Sequence, residues 1–372
     1  MKCEKRYYNY DLLRIICCLA VIILHITATY KNALIEQNAM TLYKLNLKSK
    51  EMIIIFNTLT RFAVPCFVML SGAFLLKNNT NREYKYFYNK CIKKIILPTI
   101  VFSILFFIYS LAIDVIMIIL KNKDYTIILK SLNKFIYGNA YYHLWYMYMI
   151  IGLYLLTPII IRFKESISEK NFTRITYFFV VIACLSNWTS SYKMAWSVGK
   201  IFDFLGYFML GYVIFEKNKS KKVYLKRVYI FLFIGLLFLL LLVPIQIDHI
   251  NKGIAESDEK YSLVESYNPL VLCASVCIFV AFSQIKVNYD FSKIANLTMY
   301  IYFFHAIIWD LLLKCLKVTG IVNSRTSFIF VMIICTIVVF YLSCLCSIIW
   351  IKIKNKTSKN NKLYKKIDKI LK

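Results

Sequence analysis

Long apolar runs separated by short polar segments dominate this chain. A helix that crosses the hydrocarbon of a bilayer needs about 20 mostly apolar residues. Ten windows meet that need, at roughly 11–30, 52–76, 95–120, 143–161, 173–189, 196–215, 228–247, 268–284, 294–313 and 327–351. The runs are continuous rather than alternating, which argues against a β-barrel. The pattern therefore predicts an all-α polytopic membrane protein with about ten transmembrane helices. The first window has the basic start of a secretory signal (Lys2, Lys5, Arg6), but it carries Asp11 and Arg14 and no small-residue cleavage site before Lys31. It reads as a retained first helix. No internal repeat divides the chain, so one membrane domain is read over residues 1–352, followed by a basic tail over 353–372.

Composition supports this picture and charge orients it. Of the 372 residues 60% are hydrophobic, too many to hide in soluble domains of this length. The net charge of +28 invites a nucleic-acid partner, yet only 18% of residues are charged, and they sit between apolar runs instead of forming a stripe. With the N-terminus placed in the cytoplasm, the inner segments hold 30 Lys and Arg and the outer loops 14. That bias predicts both termini cytoplasmic. The tail carries nine Lys against one Asp from residue 352 onward. Either it lies along anionic lipid or it is a solvated stop to the last helix. Twelve Cys fall mostly within spans, where they read as small hydrophobes, with neither a disulfide nor a metal site assigned.

Ionisable groups inside a span are costly and so mark candidate chemistry. Of four His, three lie within windows: His25, His143 and His305. The predicted topology places all three in the outer half of the membrane, on three separate helices. Arg14 and His25 are eleven residues apart, about three helical turns, so they share a face at a separation of about 16 Å. That suits a long ligand with an anionic end at Arg14 and a reacting end at His25. An ion pair of Arg14 with Asp11, with snorkelling to headgroups, is the competing reading. Arg61 stands beside Pro65, which removes a helical hydrogen bond and predicts a kink. Lys90, Lys93 and Lys94 form a basic turn before the third span, a cytoplasmic phosphate site or ordinary inner charge. Lys200 and Asp203 pair at i, i+3, and Asp310 and Glu265 lie at the outer rim, where they are candidates to contact an acceptor. No phosphate-binding loop or dinucleotide fingerprint is present.

These elements together resemble the acyltransferase type 3 family of integral-membrane acyltransferases, with the closest likeness to stand-alone surface-polysaccharide O-acetyltransferases. The matching residues are Asp11-Leu12-Leu13-Arg14 with His25, Arg61 with Pro65 and Ser71-Gly72, Tyr142-His143-Leu144-Trp145-Tyr146, and Ile301-Tyr302-Phe303-Phe304-His305. They occur in family order over residues 7–310.

The resemblance implies a bacterial cell-envelope enzyme of the cytoplasmic membrane. It would move an acyl group, usually acetyl, from cytoplasmic acyl-coenzyme A to a hydroxyl of a surface or lipid-linked glycan. It implies His25 as the essential base and Arg14, with Lys90, Lys93 and Lys94, as the acyl-donor contacts. The basic turn departs from the family in offering Lys where relatives often carry Arg, which removes the bidentate fork. His143, Arg61 and Tyr146 are candidates to stabilise the oxyanion, Tyr146, His305 and Asp310 to contact the acceptor. Acetyl-coenzyme A is the expected donor substrate, with membrane lipid and a glycan as partners, no metal and no nucleic acid. A lipid-linked glycan transporter, or a membrane ligand-binding module, is the alternative from a different functional class.

Overall fold

The structure is a computed structural model that describes residues 6–38, 47–121, 124–138, 140–186, 196–219, 224–252, 265–266, 268–319 and 328–360. Each of the ten apolar windows is mostly helical where it is described, with turns at 60–62, 143–144 and 296–297. The helices are α1 (Tyr8–Asn38), α2 (Leu47–Leu59), α3 (Ala63–Leu75), α4 (Tyr84–Cys91), α5 (Leu97–Lys121), α6 (Thr126–Ile136) and α7 (Trp145–Ser166). They continue with α8 (Glu169–Ser186), α9 (Trp196–Asn218), α10 (Leu225–Asn251), α11 (Pro269–Gln284), α12 (Ser292–Ala295), α13 (Thr298–Val318) and α14 (Phe328–Asn360). Among the described residues seven helices are long and apolar enough to cross a membrane, whereas α11 has only 16 residues. Glu256, Asp258 and Glu259, which lie between the seventh and eighth windows, and the tail beyond Asn360 are outside the described residues.

α1 sits at the centre, packed against α2, α3, α11, α13 and α14. Its apolar positions therefore meet helix on nearly every side, and Leu13, Cys17, Ile22 and Ile26 are fully buried or nearly so. The second window is not one straight helix. Residues 60–62 form a turn between α2 and α3, and Pro65 sits in the first turn of α3, where its missing N–H costs nothing. The irregularity expected near Pro65 is thus this turn, within the continuous span Glu51–Leu75, and Arg61 sits in it.

α3 and α9 approach most closely where Gly72 and Gly211 face each other's backbones. A Cβ on Gly72 would land on the carbonyl of Phe208, and one on Gly211 would land on that of Met69. Small residues at such crossings are what let two membrane helices touch. The Ser71-Gly72 pair therefore serves two tasks: the glycine seats α9, and the serine faces a cavity described below.

Between α4 and α5 the chain forms a π-helical turn, Ile92–Ile96. The extra residue rotates Lys93 and Lys94 relative to a continuous α-helix, and such turns often occur at functional sites. At the far end of the chain α14 runs without interruption through residue 352 to Asn360.

Candidate active site

Three helices bring the three buried imidazoles together. His25 comes from α1, His305 from α13, and His143 from the turn that leads into α7. Ring centroids are 5.3 Å apart for His25 and His305, 5.3 Å for His143 and His305, and 6.4 Å for His25 and His143. The shared depth expected from topology is thus realised as direct contact. His143 is 0% exposed and His305 1%, whereas His25 is only half-buried. Of the three, His25 is the ring that an incoming group can reach.

Local hydrogen bonds set the state of the His305 ring. His305 Nδ1 lies 2.6 Å from the Tyr302 carbonyl and 3.3 Å from that of Ile301. A carbonyl only accepts, so Nδ1 carries the proton and Nε2 presents a bare lone pair. That Nε2 is buried without a protein partner among the described residues. Both ring nitrogens of His143 are in the same condition. Three buried ring nitrogens without a protein partner among the described residues thus share one small volume.

Tyr302 holds the cluster in place. Its hydroxyl donates to the His143 carbonyl, while its own carbonyl takes the His305 proton. Its ring packs 5.1 Å from His143 and 5.5 Å from Tyr146. One turn beyond His305, the Trp309 indole donates to Thr29 Oγ1, and Thr29 donates in turn to the His25 carbonyl at 2.7 Å. Tyr302 was not singled out from sequence, although it lies one turn before His305 on the same helix face.

A cavity of about 520 Å³ opens on the other side of Tyr146 and Tyr302, and none of the three imidazoles is among its lining residues. Arg14, Lys93, Lys94 and Lys354 line it, with Asn296, Ser71, Tyr154 and Tyr300 supplying neutral polar groups. Its lining reaches Tyr146 and Tyr302, the aromatic pair whose Tyr302 ring contacts His143 and His305. No carboxylate is among its lining residues. Arg14 is fixed by Asp11 at 3.4 Å, and Asp11 is also held by Arg6 at 2.6 Å. Arg6 reaches on to Asn296 Oδ1 at 3.0 Å, which ties the start of the chain to the cavity wall. The two sequence readings of Arg14 therefore coexist: it pairs with Asp11 and also faces the cavity.

Lys90 stands apart from the cavity. It lines a neighbouring groove with Lys85, Tyr86 and Asn89, a groove that shares Lys93 and Lys94 with the cavity. Its ammonium lies 3.5 Å from Asn81 Oδ1 and 5.8 Å from the centre of the Tyr86 ring. Arg61 Nε and Nη2 both donate to Asn57 Oδ1, at 3.1 and 2.6 Å. The guanidinium also lies within electrostatic reach of His25 and Glu265. Lys200 stacks 4.2 Å over the Trp145 ring, with Glu265 and Asp203 in electrostatic reach. Asp310 does not line the cavity, and the charge that acts on it is Lys314, one turn along α13.

The described cysteines are unpaired, and no group of His, Cys, Asp and Glu among the described residues is arranged to hold a metal ion. A family model described as an acyltransferase domain matches residues 7–347. No curated protein and no solved structure matches the chain.

Proposed function

The chain belongs to the acyltransferase type 3 family, and we propose that it moves an acetyl group from cytoplasmic acyl-coenzyme A to a hydroxyl of a surface or lipid-linked glycan at the cytoplasmic membrane. One observation carries this reading. A cavity lined by four cations and no carboxylate leads to Tyr146 and Tyr302; His143 and His305 pack against Tyr302, and His25 packs against those two rings. A strongly anionic carrier with a long neutral arm fits such a path better than a neutral sugar would. The diphosphate and 3′-phosphate rest among Arg14, Lys93 and Lys94, where charge-assisted hydrogen bonds are strongest. The arm extends past Ser71 and Tyr154, and the thioester comes to the imidazoles. Both cytoplasmic termini follow from this placement, because Lys93, Lys94 and Lys354 then face the compartment that supplies the donor.

His25 is the base in this scheme because it alone of the three rings is accessible. It takes the proton from the acceptor hydroxyl as that oxygen bonds to the thioester carbonyl carbon. The carbon–sulfur bond then breaks, and His25 returns the proton to the departing thiolate, so no proton is gained or lost overall. Base catalysis of this kind contributes about 10²–10⁴-fold. This reading assigns the oxyanion to His143 and Arg61, and preorganised donors in a site that excludes water commonly contribute the largest share.

The test is turnover by purified protein in lipid, with labelled acetyl-coenzyme A and envelope glycan as acceptor. The expected result is acceptor-dependent release of free coenzyme A, abolished in His25→Ala, with a raised donor KM in Arg14→Ala. A protein that neither binds nor consumes acetyl-coenzyme A while moving glycan across the bilayer would refute the proposal in favour of transport.

A further inference from the structure

We propose that Lys354, on the last helix, is a phosphate-binding residue of the donor site, an assignment that rests on the acyl-coenzyme A reading above. Lys354 lies beyond residue 347, where the family match ends. From sequence it is one of nine Lys in a basic segment that reads as solvated or lipid-facing. The fold separates it from the others. It lines the same cavity as Arg14, Lys93 and Lys94. Its ammonium donates to the Tyr300 hydroxyl at 3.2 Å, and the Tyr300 side chain is itself a cavity wall.

The placement is fixed by packing rather than left to a mobile side chain. Trp350, one turn earlier on the same face, packs 5.1 Å from Phe102 and 6.2 Å from Phe304. Phe102 in turn stacks on Phe303 at 4.2 Å with the rings parallel. This aromatic block fixes the rotation of α14 and holds residue 354 toward the cavity. Lys352 and Lys356, each two residues away and so about 200° around the helix, are exposed. Half-buried as it is, Lys354 adds a fourth cation to a chamber with no lining carboxylate. Asp11 pairs with Arg14 from outside the lining, and a bound anion offsets the remaining repulsion among like charges gathered in this way. A 3′-phosphomonoester alone carries ~2 negative charges at neutral pH, and the diphosphate adds more.

The experiment is equilibrium binding of coenzyme A to the purified full chain in lipid nanodiscs, for wild type, Lys354→Ala, Lys354→Arg, Lys352→Ala and Lys356→Ala. Losing one charge-assisted phosphate contact is expected to raise Kd about tenfold or more in Lys354→Ala. Lys354→Arg is expected to stay within about threefold of wild type, and the two exposed controls to match it. Tyr300→Phe removes the hydrogen bond but keeps the charge, so it should change Kd far less than Lys354→Ala. Thermal midpoints measured alongside identify any variant that has lost its fold, in which case the arginine and Tyr300 variants decide the matter. Wild-type affinity in Lys354→Ala, or losses as large in the exposed controls, would overturn the assignment while leaving the donor reading intact. Absence of coenzyme A binding by wild type would overturn both.

Discussion

Replacing His143 by Phe should make the protein more stable and inactive at once. The imidazole is 0% exposed, and neither of its nitrogens has a protein partner among the described residues. Its surroundings are aromatic: Phe106 at 4.9 Å, Tyr302 at 5.1 Å, and Tyr141 and Tyr142 each at 5.6 Å between ring centroids. An unsatisfied buried polar group costs about 1–3 kcal/mol, so two on one ring cost roughly 2–6 kcal/mol. A benzene ring removes that cost and suits the aromatic neighbours. Its slightly greater volume in a packed site gives back about 1–3 kcal/mol. The net expectation is a gain centred on ~2 kcal/mol, seen as a thermal midpoint several degrees higher. Thermal unfolding of wild type and His143→Phe in the same detergent, followed by tryptophan fluorescence, measures it, with acyl transfer assayed on the same samples. A midpoint several degrees lower, or full retention of transfer, would refute the reasoning. The first outcome would mean that the imidazole is held for stability, and the second that its polarity has no part in the chemistry.

Two further outcomes follow from the same geometry. Gly72→Ala should be strongly destabilising, by about 3 kcal/mol or more, because the added methyl meets the Phe208 backbone and not a side chain that can turn aside. Folded yield by fluorescence-detected size exclusion reads this, and Ser71→Ala on the same turn should fold normally. Arg61→Lys should lower kcat about 10- to 100-fold while leaving coenzyme A affinity unchanged, because Arg61 does not line the cationic cavity and its fork on Asn57 is lost. Equal losses in affinity and kcat would place Arg61 in the donor site instead.

Much of the candidate site was legible along the chain because membrane burial makes polar residues conspicuous. His25, His143 and His305 stand out from apolar runs, and a count of spans was enough to expect them at a common depth. The 11-residue interval from Arg14 to His25 likewise fixes a face and a length by helix geometry alone. What could not be read is which polar residues from distant segments share one space. Tyr302, Tyr154 and Asn296 carry no unusual signal in sequence, since each is an ordinary residue for a membrane helix or its end. Lys90 and Lys93 are three residues apart and look equivalent, yet the π-turn at Ile92–Ile96 sends Lys93 and Lys94 to the cavity and leaves Lys90 in the groove beside it.

The sequence by itself determined the class of solvent, the helical architecture and the set of costly groups, because each follows from transfer free energies and from the period of a single helix. Tertiary packing decided the rest. It showed that the three imidazoles touch, that a turn at residues 60–62 separates α2 from the helix whose first turn holds Pro65, and that Gly72 exists for the backbone of α9. It also made Lys354, one lysine among nine, a wall of the cavity and left Lys352 and Lys356 facing outward. The physical reason is the same in each case. Contacts between residues far apart in the chain depend on how helices rotate and cross, and that is set by the summed fit of many side chains that no local pattern records.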